Sequence, residues 1–143
     1  MDFFTAMDIS ASALTAERTR MNLISSNLAN VNSTRTAEGG PYRRKDAVFS
    51  ATPAPGSFGA ALGKAAGARM VEVSQISEDQ RPPRLQYEPT HPDADPAGYV
   101  AYPNVNVVEE MADMISASRS YEANVTATQA AKSMALKTLE LMR

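Results

Sequence analysis

Ser25-Ser26-Asn27-Leu28-Ala29-Asn30-Val31-Asn32-Ser33-Thr34 is the stretch on which the reading of this chain turns. It closes a segment with helical periodicity, yet it carries no charge, and the uncharged run reaches back to Met21. A helix with one side in water normally shows a charged stripe. Here Asn, Ser and Thr are mixed with Leu, Ala and Val. Small side chains let backbones approach closely, and amides and hydroxyls can bond across a packed interface. Left unpaired there, each would cost about 1–3 kcal/mol. The composition suits a helix packed on several sides.

Toward the N-terminus, Met7, Leu14, Met21 and Leu28 recur at a step of seven, and Ile24 and Val31 follow three residues after the last two. That is a heptad-like seam. Ser10 and Glu17 occupy the corresponding earlier positions and weaken it. Asn30 and Asn32 are poor helix formers that tolerate left-handed geometry. The pattern predicts a helix over about 4–31, in an N-terminal unit 1–32.

The middle unit, 33–104, holds every proline and every glycine of the chain. Residues 42–49 and 70–76 read as strands, the second with imperfect alternation, and Leu85-Gln86-Tyr87 is a shorter third candidate. Pro82-Pro83 breaks the chain between the last two. The Ala-, Gly- and Pro-rich stretch 51–68 reads as a flexible loop.

The last unit, 105–143, reads as one long helix from 107 to 142. Asn106 and Glu109 match a capping box. Glu109, Glu110 and Asp113 crowd the first turns, and Lys132, Lys137 and Arg143 lie toward the end, as the helix dipole favours. At 1.5 Å per residue it would be roughly 50 Å long, more than the rest of so small a chain can cover. Residues 123–131 are again uncharged. The expected fold is mainly α with a small β-rich middle, the terminal helices forming a coiled-coil-like arm and strands in a hairpin between them. An intermolecular bundle accounts for the missing charge on both helices; a plain antiparallel helical hairpin with these residues solvated does not. Composition leaves both open.

Several chemistries are excluded or disfavoured. There is no cysteine, so no disulfide, thiolate or Cys-ligated metal. A net charge of −2 gives no global field for nucleic acid. No apolar run is long enough to span a bilayer, and residues 1–7 lack the plan of a cleavable signal peptide. Asp93-Ala94-Asp95-Pro96-Ala97-Gly98 begins like a calcium loop, but Ala97 and Asn104 stand where ligands belong, so a turn is expected. In 59–64 the phosphate-loop pattern fails at Phe58 and Ala65. His91 is the only histidine, and it reads as a solvated turn residue. Arg43-Arg44-Lys45 reads as a solvated strand end ahead of the other reading, a contact with an acidic neighbour. No catalytic residue, cofactor or metal is expected.

The same residues resemble a known family. Residues 25–34 are similar to the signature that ends the N-terminal helix of flagellar basal-body rod proteins. Downstream, Pro41-Tyr42-Arg43, Val48-Phe49, Tyr87-Glu88-Pro89, Gly98-Tyr99-Val100 and Pro103-Asn104-Val105 resemble the proximal-rod members of that family. So do Glu110-Met111, 116–121, Ala123-Asn124 and Lys132-Ser133-Met134 with Leu136-Lys137-Thr138-Leu139. The stretch 51–68 departs, being longer and richer in Ala and Gly. The resemblance implies a structural subunit without enzymatic activity. Its terminal helices would line the axial core of the rod and its middle would form an outer layer. Its partners would be itself, other rod subunits, basal-ring or rod adapter proteins and the flagellar type III export apparatus. It would sit in the basal body, in the rod crossing the periplasm, exported without signal cleavage.

The assembly interface is expected at Leu14, Met21, Ile24, Asn27, Leu28, Asn30 and Val31 of the first helix. On the second it is expected at Met111, Ile115, Tyr121, Asn124, Val125, Leu136 and Leu139. The resemblance further implies a hydrophobic export element near the N-terminus, for which Phe3, Phe4 and Met7 are candidates. The same phenylalanines would equally serve as a packing anchor for the first turn. The alternative function is a secreted helical translocator or effector acting on membranes, which needs strongly apolar or basic helix faces that the Asn-, Ser- and Thr-rich segments do not supply.

Overall fold

A computed structural model describes residues 3–53 and 69–141, with Phe3 and Phe4 as helix backbone alone. Helix α1 spans Phe3–Ala29, strand β1 Lys45–Pro53, β2 Arg69–Glu78, β3 Arg84–Tyr87, β4 Tyr99–Tyr102, and helix α2 Val107–Leu141. This is the expected mainly α architecture, with two long terminal helices around a small antiparallel strand module. Most of the loop read at 51–68 lies outside the described residues.

Helix α1 packs against both α2 and the β1–β2 hairpin. Its exposed positions are Asp8, Ala11, Thr15, Arg18, Asn22, Ser25 and Ala29, a single stripe at alternating steps of three and four. The remaining described positions are buried or half-buried. On α2 the less exposed positions include Glu110, Met114, Ala117, Tyr121, Asn124, Thr128, Ala131 and Ala135. Their steps of four and three give the period of 3.5 that keeps one seam against a neighbouring helix. Ala16 on α1 and Ala117 on α2 are nearly inaccessible, as close backbone approach requires.

Helix α1 ends at Ala29, two residues before the expected stop, and not by left-handed geometry, since no described non-glycine residue has positive φ. Instead Asn30 Nδ2 donates to the Ser26 carbonyl at 2.9 Å, and Asn30 Oδ1 accepts from Ser33 Oγ at 3.1 Å. The Ser26 carbonyl also accepts the Asn30 amide at 3.1 Å, so the side chain adds a second bond at the helix end. At the start of α2, Asn106 Oδ1 accepts from the Val108 amide at 3.1 Å, an N-cap bond. Glu109 and Glu110 occupy the first turn as read. The last described turn carries no basic residue; Lys137 stands earlier, and Arg143 lies outside the described residues.

Strands β1 and β2 pair antiparallel, with a register shift between Val48 and Phe49. Val48 pairs with Gln75 and Phe49 with Val73, so Ser74 is the extra residue of a bulge. Its Oγ donates to the Val48 carbonyl at 2.9 Å. The bulge explains the imperfect alternation: it brings Ile76 onto the face shared by Val71 and Val73. The reading missed β4, which pairs with β3. Val100 in β4 is fully buried, and Pro103 and Val105 behind it are buried too.

The connection from β3 to β4 is the expected turn. Asp95 Oδ1 accepts from the Ala97 and Tyr99 amides at 2.9 and 2.8 Å. His91 is half-buried against Tyr102, ring centroids 6.3 Å apart, and its Nδ1 accepts from the Asp93 amide at 3.1 Å. Gly98 has φ of 85°, and an added Cβ would lie 2.8 Å from the Tyr87 ring. Gly39 has φ of 87° but nothing within 4 Å. Gly98→Ala is therefore expected to lower stability by about 2 kcal/mol or more, and Gly39→Ala by about half as much. Urea denaturation followed by circular dichroism checks the ranking; equal effects would contradict it.

Candidate assembly interface and the junction that positions it

Asn27 is fully buried and makes all four hydrogen bonds an amide can make. Its Oδ1 accepts from Tyr42 Oη and from the Lys45 amide, both at 2.9 Å. Its Nδ2 donates to the Lys45 carbonyl and to Glu110 Oε2, again at 2.9 Å. The side-chain amide thus pairs with the Lys45 peptide as a neighbouring strand would, and fastens α1 to the start of β1. Through Glu110 it fastens α1 to the first turn of α2.

Glu110 is also fully buried. Its other oxygen accepts from Arg44 Nε. Arg44 reaches Asp46 at 3.3 Å and Asp113 at 3.6 Å as well. Burial works against the Arg44 charge, but the hydrogen bond and charge of Glu110, with those of Asp46, outweigh it and hold the guanidinium above its ordinary value. Segments far apart in sequence meet here: the end of α1, residues 42–46, and the start of α2. Because the end of α1 meets the start of α2, the two helices run antiparallel.

The junction corrects the solvated-strand-end reading of Arg43-Arg44-Lys45: Arg44 turns inward to Glu110, while Arg43 stays exposed and meets Gln80 Oε1 at 2.9 Å. Glu110 does more than favour the helix dipole. A pairing of one arginine with one of three neighbouring carboxylates leaves no periodic signal in sequence. What was legible is that an uncharged Asn in a packed helix needs partners.

The expected interface residues divide by depth. Ile24 and Asn27 are buried inside the chain. Leu14, Met21, Leu28, Asn30, Val31, Tyr121, Asn124 and Val125 are half-buried. Met111 and Ile115 are each 54% exposed, Leu136 52% and Leu139 64%. Met7 is half-buried, and the side chains of Phe3 and Phe4 lie outside the described residues. Met7, Leu14, Met21 and Leu28 each stand one residue before a member of the exposed stripe of α1, so the seam borders solvent. The hairpin meets α1 elsewhere, through Ser12, Arg20 and Asn27. Glu17 interrupts the seam, and its Oε2 is buried without a hydrogen-bond partner.

The hydroxyls and amides of the helices are mostly not waiting for partners. Ser10, Thr15 and Thr19 on α1, and Asn124, Thr126, Thr128 and Thr138 on α2, each donate to the carbonyl four residues back at 2.9–3.1 Å. Their polarity is spent within the helix. Of the polar residues in the uncharged stretches, Asn30, Asn124, Thr126 and Thr128 thus spend a donor on their own helix, and Asn27 bonds within the chain.

Two long helices tied at one end, with a strand module on one side, define the class of protein. Residues 7–35 match the family described as flagella basal body rod protein, and 97–141 the family described as flagellar basal body rod FlgEFG protein C-terminal. The chain is 40% identical over 156 residues to the flagellar basal-body rod protein FlgC of Borreliella burgdorferi, covering 100% of this chain and 99% of the relative. It is 46% identical over 150 residues to FlgC of Bacillus subtilis, with 99% of each chain covered. To FlgC of Escherichia coli O157:H7 it is 48% identical over 141 residues, covering 99% of this chain and 98% of the relative. The chain belongs to the flagellar basal-body rod proteins, and within them to the FlgC family.

Removing Glu110 takes from Arg44 its closest carboxylate, leaving the more distant Asp46 and Asp113, and leaves one buried Asn27 donor unpaired. Glu110→Ala is expected to cost about 3 kcal/mol. In a double-mutant cycle with Arg44→Ala the two losses should fall short of additivity by 1 kcal/mol or more. Urea denaturation of the four proteins measures this; additive losses would mean the pair is not coupled.

Proposed function

We propose that this chain is a structural subunit of the proximal flagellar rod that polymerises through its terminal helices, forming part of the drive shaft and of the export channel wall. Units 1–32 and 105–143 build the axial core, and 33–104 an outer module. The observation that carries this reading is a helix pair pinned by Asn27 and Glu110 that leaves Met111, Ile115, Leu136 and Leu139 in solvent, in a member of the FlgC family. Large apolar side chains lining one helix gain most when another chain covers them. The subunit's partners are itself, other rod subunits, rod adapter proteins of the basal ring and the type III export apparatus. It works in the rod crossing the periplasm and reaches it without signal cleavage. It has no catalytic role.

Leu28→Asp and Met111→Asp place a charge on this surface. An unpaired charge buried on assembly costs several kcal/mol. Both variants should be made and exported, yet yield no rods and non-motile cells. Ser77→Ala, exposed on β2, should swim normally. Normal swimming of the two aspartate variants would refute the assigned surface.

Phe3, Phe4 and Met7 form the export element in this account. Phe3 and Met7, four apart, fall on one edge of a helix. A Phe3→Ser, Phe4→Ser double variant should accumulate inside the cell. Secretion at the wild-type level followed by failure at rod assembly would make the pair a packing anchor instead.

A further inference from the structure

Helix α2 carries a second seam beside the one that α1 covers. One residue further along, and so about 100° round the helix, the same alternation of fours and threes runs from Met111 to Leu139. Met111, Ile115, Leu136 and Leu139 on it, with Val108 one turn earlier, are exposed large apolar side chains. Its charges are Glu122 and Lys132 alone, both exposed. Helix α1 shows solvent a stripe of the same period, from Asp8 to Ala29, whose charges are Asp8 and Arg18 alone. Among the described residues, none of these four groups takes part in an ion pair.

A spacing of 3.5 residues is the period of a helix–helix seam, and the two stripes share it. Laid antiparallel, they match in registers seven residues apart. One register sets Ala29 against Met111, Ser25 against Ile115, Arg18 against Glu122 and Asp8 against Lys132. Both charges of one stripe then meet both charges of the other, each with its opposite sign. Where α2 is bulky, at Met111 and Ile115, α1 offers Ala29 and Ser25. A shift of seven in either direction sets Arg18 against Ile115 or Gln129 and Asp8 against Val125 or Leu139, and no charge is paired.

We propose that the second seam of α2 docks the exposed stripe of α1 from a second copy of this chain, in the register that pairs Arg18 with Glu122 and Asp8 with Lys132. The occupant is named on the reading of the chain as a rod subunit. Within one subunit Asn27 meets Glu110; across the contact Ala29 meets Met111, so the two copies lie level to within about 5 Å. The incoming α1 is antiparallel to α2, as the subunit's own α1 is, so both copies point the same way. Seam and stripe are different surfaces of one molecule, so the contact is heterologous and repeats from copy to copy. Apolar burial at Met111, Ile115, Leu136 and Leu139 drives it, and the charge pairs fix register.

The chain has no cysteine, so introduced ones report this contact alone. Ser25→Cys and Ile115→Cys are placed in separate chains, one of them tagged, and expressed together in cells lacking the unaltered chain. A disulfide joining the two chains can then form only between subunits. Basal bodies from these cells, mildly oxidised, should yield the mixed dimer. Ser25→Cys combined with Glu122→Cys, seven residues out of register and beyond disulfide reach, should yield little. In separate strains Arg18→Glu and Glu122→Arg should each reduce swimming several-fold, and the chain carrying both should swim normally. No mixed dimer in basal bodies that contain both chains, equal yield from the out-of-register pair, or a double variant no better than the single ones would overturn the proposal. Absence of both chains from basal bodies would defeat the rod-subunit reading, and the proposal with it.

Discussion

The structure depends on one buried amide. Asn27 reads the Lys45 peptide on one side and the Glu110 carboxylate on the other, so its hydrogen bonds hold the end of α1, the root of the hairpin and the start of α2 in one geometry. An apolar residue of similar size would leave Lys45 N–H and C=O and one Glu110 oxygen short of a partner. Each is a buried group whose loss of a hydrogen bond is costly. Arg44 completes the arrangement by neutralising Glu110. The junction contributes specificity more than net stability, since a buried ion pair recovers little beyond its own desolvation.

The rest of the helix pair is of another kind. Away from the junction, contact is made by alanine, by partly covered Leu and Met, and by hydroxyls turned back on their own helices. Such a seam is close-fitting but thin. Long helices draw most of their stability from packing, and here, among the described helices and strands, α1 meets both the hairpin and α2 while α2 meets α1. The outer side of α2 therefore has most to gain from neighbouring chains.

The fold was legible because periodicity survives without tertiary information. The step of seven through Met7, Leu14, Met21 and Leu28 and the caps around Asn30 and Asn106 located both helices within two residues at each end. The strand module was less legible. The bulge at Ser74 scrambles the alternation of β2, and β4 offers only four residues, Tyr99-Val100-Ala101-Tyr102, whose role as a strand depends on pairing with β3. The junction was half legible. Asn27 announced itself as a polar residue in a packed helix, but Arg44 and Glu110 looked like any charges near strand and helix ends. Which charge turns inward is decided by the crossing of three segments, and no local pattern encodes that. The hydroxyls left two readings open for a similar reason: composition counts donors, but not whether the helix's own carbonyls already accept them.

The central claim is that the helix pair meets solvent in the isolated subunit and other chains in the rod. Methionine oxidation reads this directly, because reaction follows exposure of the thioether. Met21, Met111 and Met134 lie along the helices, while Met70 lies on β2. Peroxide footprinting of the isolated chain and of intact basal bodies, with sulfoxide measured at each site by mass spectrometry, compares the two states. The account predicts that Met111 and Met134 react readily in the isolated chain and become strongly protected in basal bodies, with Met21 protected to a lesser degree and Met70 little changed. Equal oxidation of Met111 and Met134 in the two states would contradict it.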